Sequence, residues 1–300
     1  MKKLNIRSAA LLLAVSASVI VISGQALAAT ATVNLGTADP FAILAGSAVT
    51  NVPTSVITGN VGLSPAAGSS YAALTQAEVT GTIYAVDGSG PGGAVNNPGL
   101  LTTAKNDLTA AYTDASGRSG ATVLTGADNQ LGGKTLTPGV YSFSHATTAN
   151  LTAASPLTLS GNGVFIFQAS SDLITASASH VNLINGAQAC NVFWTVPSSG
   201  SSIGTNSFFV GTIMAYSSIN VTTGANIQGR VLAETAAVTL DHNTITRPAT
   251  CLATSYIAVG TPNTGFGVKL VNHSRDVAIY VISAISLFTL AIASRRAASK

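Results

Sequence analysis

An internal repeat limits the folds open to this chain more than any other feature. Thr205-Asn206-Ser207-Phe208-Phe209-Val210-Gly211-Thr212-Ile213-Met214-Ala215 realigns eighteen residues later with Thr223-Gly224-Ala225-Asn226-Ile227-Gln228-Gly229-Arg230-Val231-Leu232-Ala233. Thr falls on Thr, Gly on Gly, Ile213 on Val231 and Ala215 on Ala233. A second frame sets Val181-Asn182-Leu183, followed by Asn185-Gly186-Ala187, against Ile219-Asn220-Val221, followed by Thr223-Gly224-Ala225, thirty-eight residues on. Repeats of roughly twenty residues, rich in Val, Ile, Thr and Gly, are the sequence form of a coiled stack of short parallel strands, a β-solenoid. Alternate side chains of each strand enter a shared core, and the others form columns on flat outer faces. Those columns are where a function would be carried.

The two ends of the chain read differently. Met1-Lys2-Lys3 and Arg7 precede an apolar run from Ala9 to Ile22, and Ala26-Leu27-Ala28 is a small-x-small site. This is the pattern of a secretory signal cleaved after Ala28, the alternative being a short membrane helix. At the far end, Val277 to Ala293 carries no charge and is followed by Arg295 and Arg296. A run of that length spans a bilayer, with the Arg pair on the cytoplasmic side. The organisation expected is a signal over 1–28, a domain over 29–252, a linker over 253–265 and a transmembrane segment over 277–293.

These ends explain a misleading total charge. The chain carries +3 with a pI of about 9.0. Between Ala29 and Thr264, however, five basic residues (Lys105, Arg118, Lys134, Arg230, Arg247) face nine acidic ones. The exported domain is mildly acidic, which removes the electrostatic case for nucleic acid as a partner. Cys190 and Cys251 in an exported chain suggest one disulfide closing a loop of about sixty residues, worth roughly 4 kcal/mol in a chain-entropy treatment. Two buried free thiols are the alternative.

Within the domain, Thr30 to Ser64 reads as short strands. Thr58-Gly59-Asn60 echoes Thr223-Gly224-Ala225-Asn226, and Val79-Thr80-Gly81-Thr82-Ile83-Tyr84-Ala85 matches Phe209 to Ala215. Between these copies lies one helix, expected over about 98–116. Asn97 suits its N-cap, Pro98 its first position and Gly117 its stop, and Leu101, Ala104, Leu108, Ala111, Tyr112 and Ala115 share one face. The expected arrangement is a solenoid interrupted by a helix lying alongside, with N-terminal strands stacked on C-terminal ones.

Leu131-Gly132-Gly133-Lys134-Thr135-Leu136-Thr137-Pro138-Gly139-Val140-Tyr141 resembles a motif of the bacterial and fungal ice-binding proteins of the DUF3494 type. So do Gly163 to Gln168, Leu183 to Trp194 and Gly229 to Ala233, in the same order, across roughly Val33 to Cys251. The resemblance implies a mainly β fold, a discontinuous right-handed β-solenoid of triangular cross-section with one long helix packed alongside. It implies adsorption to an ice crystal surface through one flat face, with no cofactor and no metal; a monomer is expected. Turns of the form Thr-Ala/Gly-x-Thr/Asn mark that face in the family. Thr223-Gly224-Ala225-Asn226 is a full match, while Thr205-Asn206-Ser207-Phe208 and Thr175-Ala176-Ser177-Ala178 are partial. The candidate ice-binding residues are therefore Thr175, Thr205, Ser207, Thr223, Ala225 and Asn226. Thr is also a good strand residue, so a Thr-rich face has a purely structural reading as well.

Thr261-Pro262-Asn263-Thr264-Gly265 resembles a sortase sorting motif, with Thr where Leu is usual, followed by the apolar run and the Arg pair. It implies cleavage after Thr264 and attachment to the cell envelope, so the expected location is the cell surface or wall. An enzyme is not expected. Arg230, Glu234, Asp241 and His242 lie near one another in sequence but do not form a facing carboxylate pair, and the histidines lack metal-ligand spacing. A surface adhesin or structural envelope protein on the same fold is the rival reading.

Overall fold

A computed structural model describes residues 30–124, 130–143, 149–197 and 200–248. The signal sequence with Ala28, Cys251, the sorting motif Thr261 to Gly265 and the run 277–293 lie outside the described residues. No helix among the described residues is long and apolar enough to cross a membrane.

The strands form parallel stacks on three sides of a coil. The first side takes, in spatial order, Val95–Asn96, Ile83–Ala85, Asn60–Leu63, Phe41–Ala45, Asn226–Ala233, Phe208–Ala215, Val192–Val196, Phe165–Gln168, Gly139–Phe143 and Thr122–Leu124. The second side is a seven-stranded sheet of Ala149–Leu151, Leu173–Thr175, Ser201–Ile203, Ile219–Val221, Val238–Asp241, Val49–Val52 and Tyr71–Ala72. On the third side lie Thr135–Leu136, Leu157–Ser160 and Val181–Ile184. A bridge between His180 and Phe208 leads from them to the first halves of the two eight-residue strands, then to Thr244–Thr246, Val56–Thr58 and Val79–Thr80. This is the solenoid expected from the repeat.

The eighteen-residue frame is the stacking register itself. Phe208 lies opposite Asn226, Gly211 opposite Gly229 and Ala215 opposite Ala233, without a slip. Both strands turn a corner at their glycine. Gly211 has φ of 116°, and a Cβ on Gly229 would run into the carbonyl oxygen of Gly211, so only glycine permits this approach. The thirty-eight-residue frame is not a stack. Val181 pairs with Leu157 on the third side, whereas Ile219 pairs with Ser201 and Val238 on the second. The shared pattern there is a strand followed by a left-handed turn, used at two different corners. Likewise Thr58-Gly59 sits with Thr246 and Gln228-Gly229 rather than with Thr223-Gly224.

The chain winds discontinuously. Ile43 pairs with Val231, Val49 with Val238 and Val56 with Thr244, so the N-terminal strands continue the stack where the C-terminal ones end. The helix Pro98–Gly117 connects the two ends along the first side. The Asn97 side chain accepts a bond from the Leu100 amide at 3.0 Å, and Pro98 needs no partner at N1. Gly117 is the last helical residue rather than a left-handed stop, and Arg118 leaves in an extended conformation.

Leu101, Ala104, Leu108, Ala111 and Ala115 are buried against Phe41, Leu44, Ile166, Phe193, Met214 and Leu232. The first side is therefore covered on both surfaces, which is why Phe41–Ala45 and Val192–Val196 are buried without alternation. Inside the coil, aromatic rings stack from one turn to the next. Tyr141 and Phe167 are 5.5 Å apart, Phe167 and Trp194 4.0 Å, and Trp194 and Phe209 5.1 Å between centroids. The Trp194 indole donates to the carbonyl of Val210 at 3.0 Å.

Few charges enter this structure, and several of them hold segments that are distant in sequence. Arg230, buried, reaches Asp39 at 2.6 Å and Thr212 at 3.2 Å, tying the N-terminal segment to a late coil. Burial lowers its pKa to about 10, with Asp39 opposing. Lys105 donates from the helix to the carbonyls of Ala233 and Glu234 at 2.7 and 2.6 Å, and Thr109 donates to the Glu234 carboxylate at 2.9 Å. Burial pulls the Lys105 pKa down to about 8, against the pull of Glu234.

Two outcomes follow from this packing. Phe167→Ala should destabilise the domain by about 3–5 kcal/mol, by losing burial and leaving a cavity in the ring stack. Urea unfolding followed by fluorescence of Trp194, the only tryptophan, measures it. For Lys105, the folded pKa of about 8 lies below the ordinary 10.5, so between those values the unfolded chain binds the extra proton. Stability must then rise with pH across that window. Urea midpoints taken from pH 8 to 10.5 should show wild type gaining on Lys105→Met, and a constant difference would refute the assignment.

Candidate functional site

One turn, repeated from coil to coil, forms the corner between the seven-stranded and third sides. Its second residue is left-handed each time: Ala178 (φ 55°), Asn206 (54°), Gly224 (69°) and His242 (51°). The amide of Ala178 donates to the carbonyl of Thr205 at 2.8 Å, that of Asn206 to Thr223 at 2.9 Å and that of Gly224 to Asp241 at 2.9 Å. The stacked corners are thus Ser177 to His180, Thr205 to Phe208, Thr223 to Asn226 and Asp241 to Thr244. Their third residues, Ser179, Ser207, Ala225 and Asn243, are at most 1% exposed. The fourth residues open the third side.

This register sorts the six residues expected from sequence. Thr223 is exposed, and Thr205 and Asn226 are half-buried. These three come together along the corner. Ser207 and Ala225 face inward, Ser207 donating to the carbonyl of Gly204 at 2.6 Å. Thr175 is elsewhere: it pairs with Leu151 in an inward position and accepts from the Gly204 amide at 2.8 Å. The turn equivalent to Thr223-Gly224-Ala225-Asn226 begins at Ser177, two residues later than Thr175. Asp241-His242-Asn243-Thr244 also belongs to the column.

The hydroxyls of Thr205, Ser207, Thr222 and Thr223 are spent on the protein itself. Thr205 and Thr222 share a hydrogen bond of 3.2 Å, and Thr222 donates to the carbonyl of Ile203 at 2.7 Å. Thr223 donates to the Asp241 carboxylate. That bond, with another from His242, holds the Asp241 pKa below the usual carboxylate value. The corner is a stiff frame whose polar groups have little left to offer an outside surface.

The seven-stranded side is different. Asn150, Ile174, Ser202, Asn220, Thr239, Thr50 and Ala72 stand opposite one another in unbroken register, one per strand. All are exposed or half-buried, and none is charged. Among the described residues, the side chains of Ser202, Asn220, Thr239 and Thr50 bond to no protein group. Their hydroxyls and amide meet water, on strands spaced about 4.8 Å apart. Beneath them the inward neighbours Leu173, Ile219, Val238 and Val49 are fully buried and fix the outward direction of each side chain.

The column was overlooked because its members share no residue type. The available signal was the apolar-polar-apolar triplet in Ala149-Asn150-Leu151, Ile219-Asn220-Val221 and Val238-Thr239-Leu240.

Neither of the other two sides offers such a surface along its whole length. The helix covers the first. The third is broken in its middle, where Val210 is buried and the Phe208 ring lies 6.4 Å from that of His180. Arg230, Glu234 and Asp241 are occupied separately, by Asp39, the helix and Thr223 respectively. The described residues contain no group of acidic, His or Cys side chains arranged to hold a metal ion. Cys190 is disulfide-bonded, and its expected partner Cys251 lies outside the described residues.

A helix-backed β-solenoid presenting a rigid, uncharged and unbroken face defines a class of surface-adsorbing protein. The chain belongs to the Ice-binding-like family, whose model matches residues 43–246. It is 43% identical over 218 residues to an ice-binding protein of Flavobacterium frigoris, covering 72% of this chain and 76% of that one. It is 41% identical to an ice-binding protein of a Colwellia species, covering 72% and 84%. Among solved structures, the DUF3494 domain of Shewanella frigidimarina ice-binding protein 1 superposes with a TM-score of 0.65 at 34% identity, covering 74% of this chain and 99% of that one. An ice-binding protein with antifreeze activity from an Arctic yeast gives 0.64 at 30% identity, covering 73% and 95%.

The left-handed corner is testable by itself. A Cβ on Gly224 would meet the Asn206 side-chain oxygen at positive φ, so Gly224→Ala should cost about 1–2 kcal/mol. Chemical denaturation measures the loss, and an unchanged midpoint would contradict the strained geometry.

Proposed function

We propose that this protein adsorbs to ice through its seven-stranded side and so restrains ice growth or recrystallisation. The observation that carries the reading is the unbroken outward column with Ser202, Asn220, Thr239 and Thr50 free to bond water. Family membership and the ice-binding relatives support it. A rigid lattice of short polar and methyl-bearing side chains can hold surface water in an ordered array. Charged groups would enforce their own hydration instead. Because the sheet beneath is already fixed, each weak contact adds with little ordering entropy to offset. Adsorption of this kind requires no catalytic group.

The chain ends give this activity a place. The signal-like segment before Ala28 supports export, and Thr261-Pro262-Asn263-Thr264-Gly265 with the following apolar run supports retention at the envelope. Held there, the domain would act where ice meets the cell. Mass spectrometry of wall fragments tests the sorting step: it should find a peptide ending at Thr264, and an intact 264–265 bond on mature protein would remove it.

For the face, thermal hysteresis and recrystallisation inhibition are measured on the purified protein. Thr239→Tyr and Asn220→Tyr each project a ring from the plane and should reduce activity about tenfold, a loss of about 1.4 kcal/mol in adsorption. Their urea midpoints should stay at the wild-type value. Full activity in both variants would move the site off this side.

A further inference from the structure

The third side, broken in its middle, contains one regular half. Gln228, Thr246, Thr58 and Thr80 lie opposite one another on four successive strands. All four are exposed. One step back along the same strands, Asn226, Thr244 and Val56 form a second outward column, roughly 6.6 Å from the first. Neither column contains a charge.

The state of the hydroxyls separates this patch from the threonines of the frame. Thr175, Thr195, Thr212, Thr222 and Thr223 all use their hydroxyls within the protein. Among the described residues, the hydroxyls of Thr58, Thr80, Thr244 and Thr246 bond to no protein group. The nearest carboxylate, Glu78, is itself occupied: Oε1 accepts from Asn51 and the Ser55 amide, and Oε2 accepts from Thr75. These contacts, in spite of partial desolvation, keep its pKa below the usual value. The inward positions Ile57, Val79, Ile227 and Ile245 are buried, so the patch stands on a rigid base.

The patch is also continuous with the proposed ice face. The turn Asp241-His242-Asn243-Thr244 joins Thr239 on the seven-stranded side to Thr244 and Thr246, and Val52 to Ser55 joins Thr50 to Val56 and Thr58 in the adjacent coil. Asn243 fastens this corner from within, its side-chain amide donating to the Thr222 carbonyl at 2.7 Å and its backbone amide donating to the Ser55 hydroxyl oxygen at 3.0 Å. Two neutral, water-facing lattices therefore meet along one rigid edge, in planes that differ in direction.

We propose that Thr58, Thr80, Thr244, Thr246 and Gln228 form a second ice-binding surface, so that one molecule can adsorb to two differently oriented families of ice planes. The inference rests on the reading of the seven-stranded side as an ice face, but it assigns residues and a consequence that reading does not contain. The occupant is ice rather than a protein, because Val56 is the one exposed apolar side chain in the two columns and neither holds an aromatic or Arg anchor of the kind a protein partner uses.

The test is the pattern that dye-labelled protein leaves on a single-crystal ice hemisphere. Wild type should mark two families of planes. Thr239→Tyr should erase one family and leave the other, while Thr246→Tyr and Thr58→Tyr should do the reverse, all with wild-type urea midpoints. If Thr239→Tyr erases all marking and the third-side variants change nothing, the second surface is refuted while the first stands. If wild type marks no plane, both readings fall together.

Discussion

Everything exposed on this protein depends on the parallel hydrogen-bond register that joins one coil to the next. In a parallel ladder each strand is fixed by two neighbours, and a slip of one residue would turn every outward side chain inward. The core forbids that slip. Ile219, Val238 and Val49 are fully buried, and exchanging them with Asn220, Thr239 and Thr50 would place polar groups in an apolar interior. The same constraint that stabilises the fold thus orders the surface, and the outward column needs no further device to hold its side chains in line.

The charged residues fit this logic by their placement. Arg230, Asp39, Lys105 and Glu234 lie where segments distant in sequence must be fastened. Asp107 does likewise, accepting from both the amide and the hydroxyl of Thr37 at 2.7 Å. These contacts hold the helix and the N-terminal segment to the solenoid and leave the outward columns neutral. Lys105 shows the compromise: burial disfavours its charge, yet its ammonium meets two carbonyls at the end of a strand.

The sequence was most legible where the backbone itself repeats. Gly211 and Gly229 mark a corner that only glycine can turn, and the spacing between them is the true stacking interval. Asn97 and Pro98 announced the helix by capping chemistry that needs no tertiary context. The thirty-eight-residue frame misled because a strand ending in a left-handed turn is a local device, and the coil uses it at more than one corner. Thr175 misled for a related reason. Thr-Ala-Ser-Ala resembles the corner motif in composition, but the left-handed residue falls at Ala178, and the corner therefore starts at Ser177.

The outward columns were harder to read, and the physical reason lies in the surroundings they face. An inward column is selected for volume and polarity together, so Val, Ile and Leu recur and repeat visibly. An outward column facing water must be short, neutral and unspent, and Asn, Ser, Thr and Ala all satisfy that. Asn220 and Thr239 are equivalent in the lattice without resembling each other in sequence. Conversely Thr223, the best match to a motif, directs its hydroxyl to Asp241 and acts as part of the frame. Whether a threonine bonds to the protein or to the water beyond it is decided by neighbours a whole coil away. That distinction is invisible in a linear motif and follows directly once the stacking register is known.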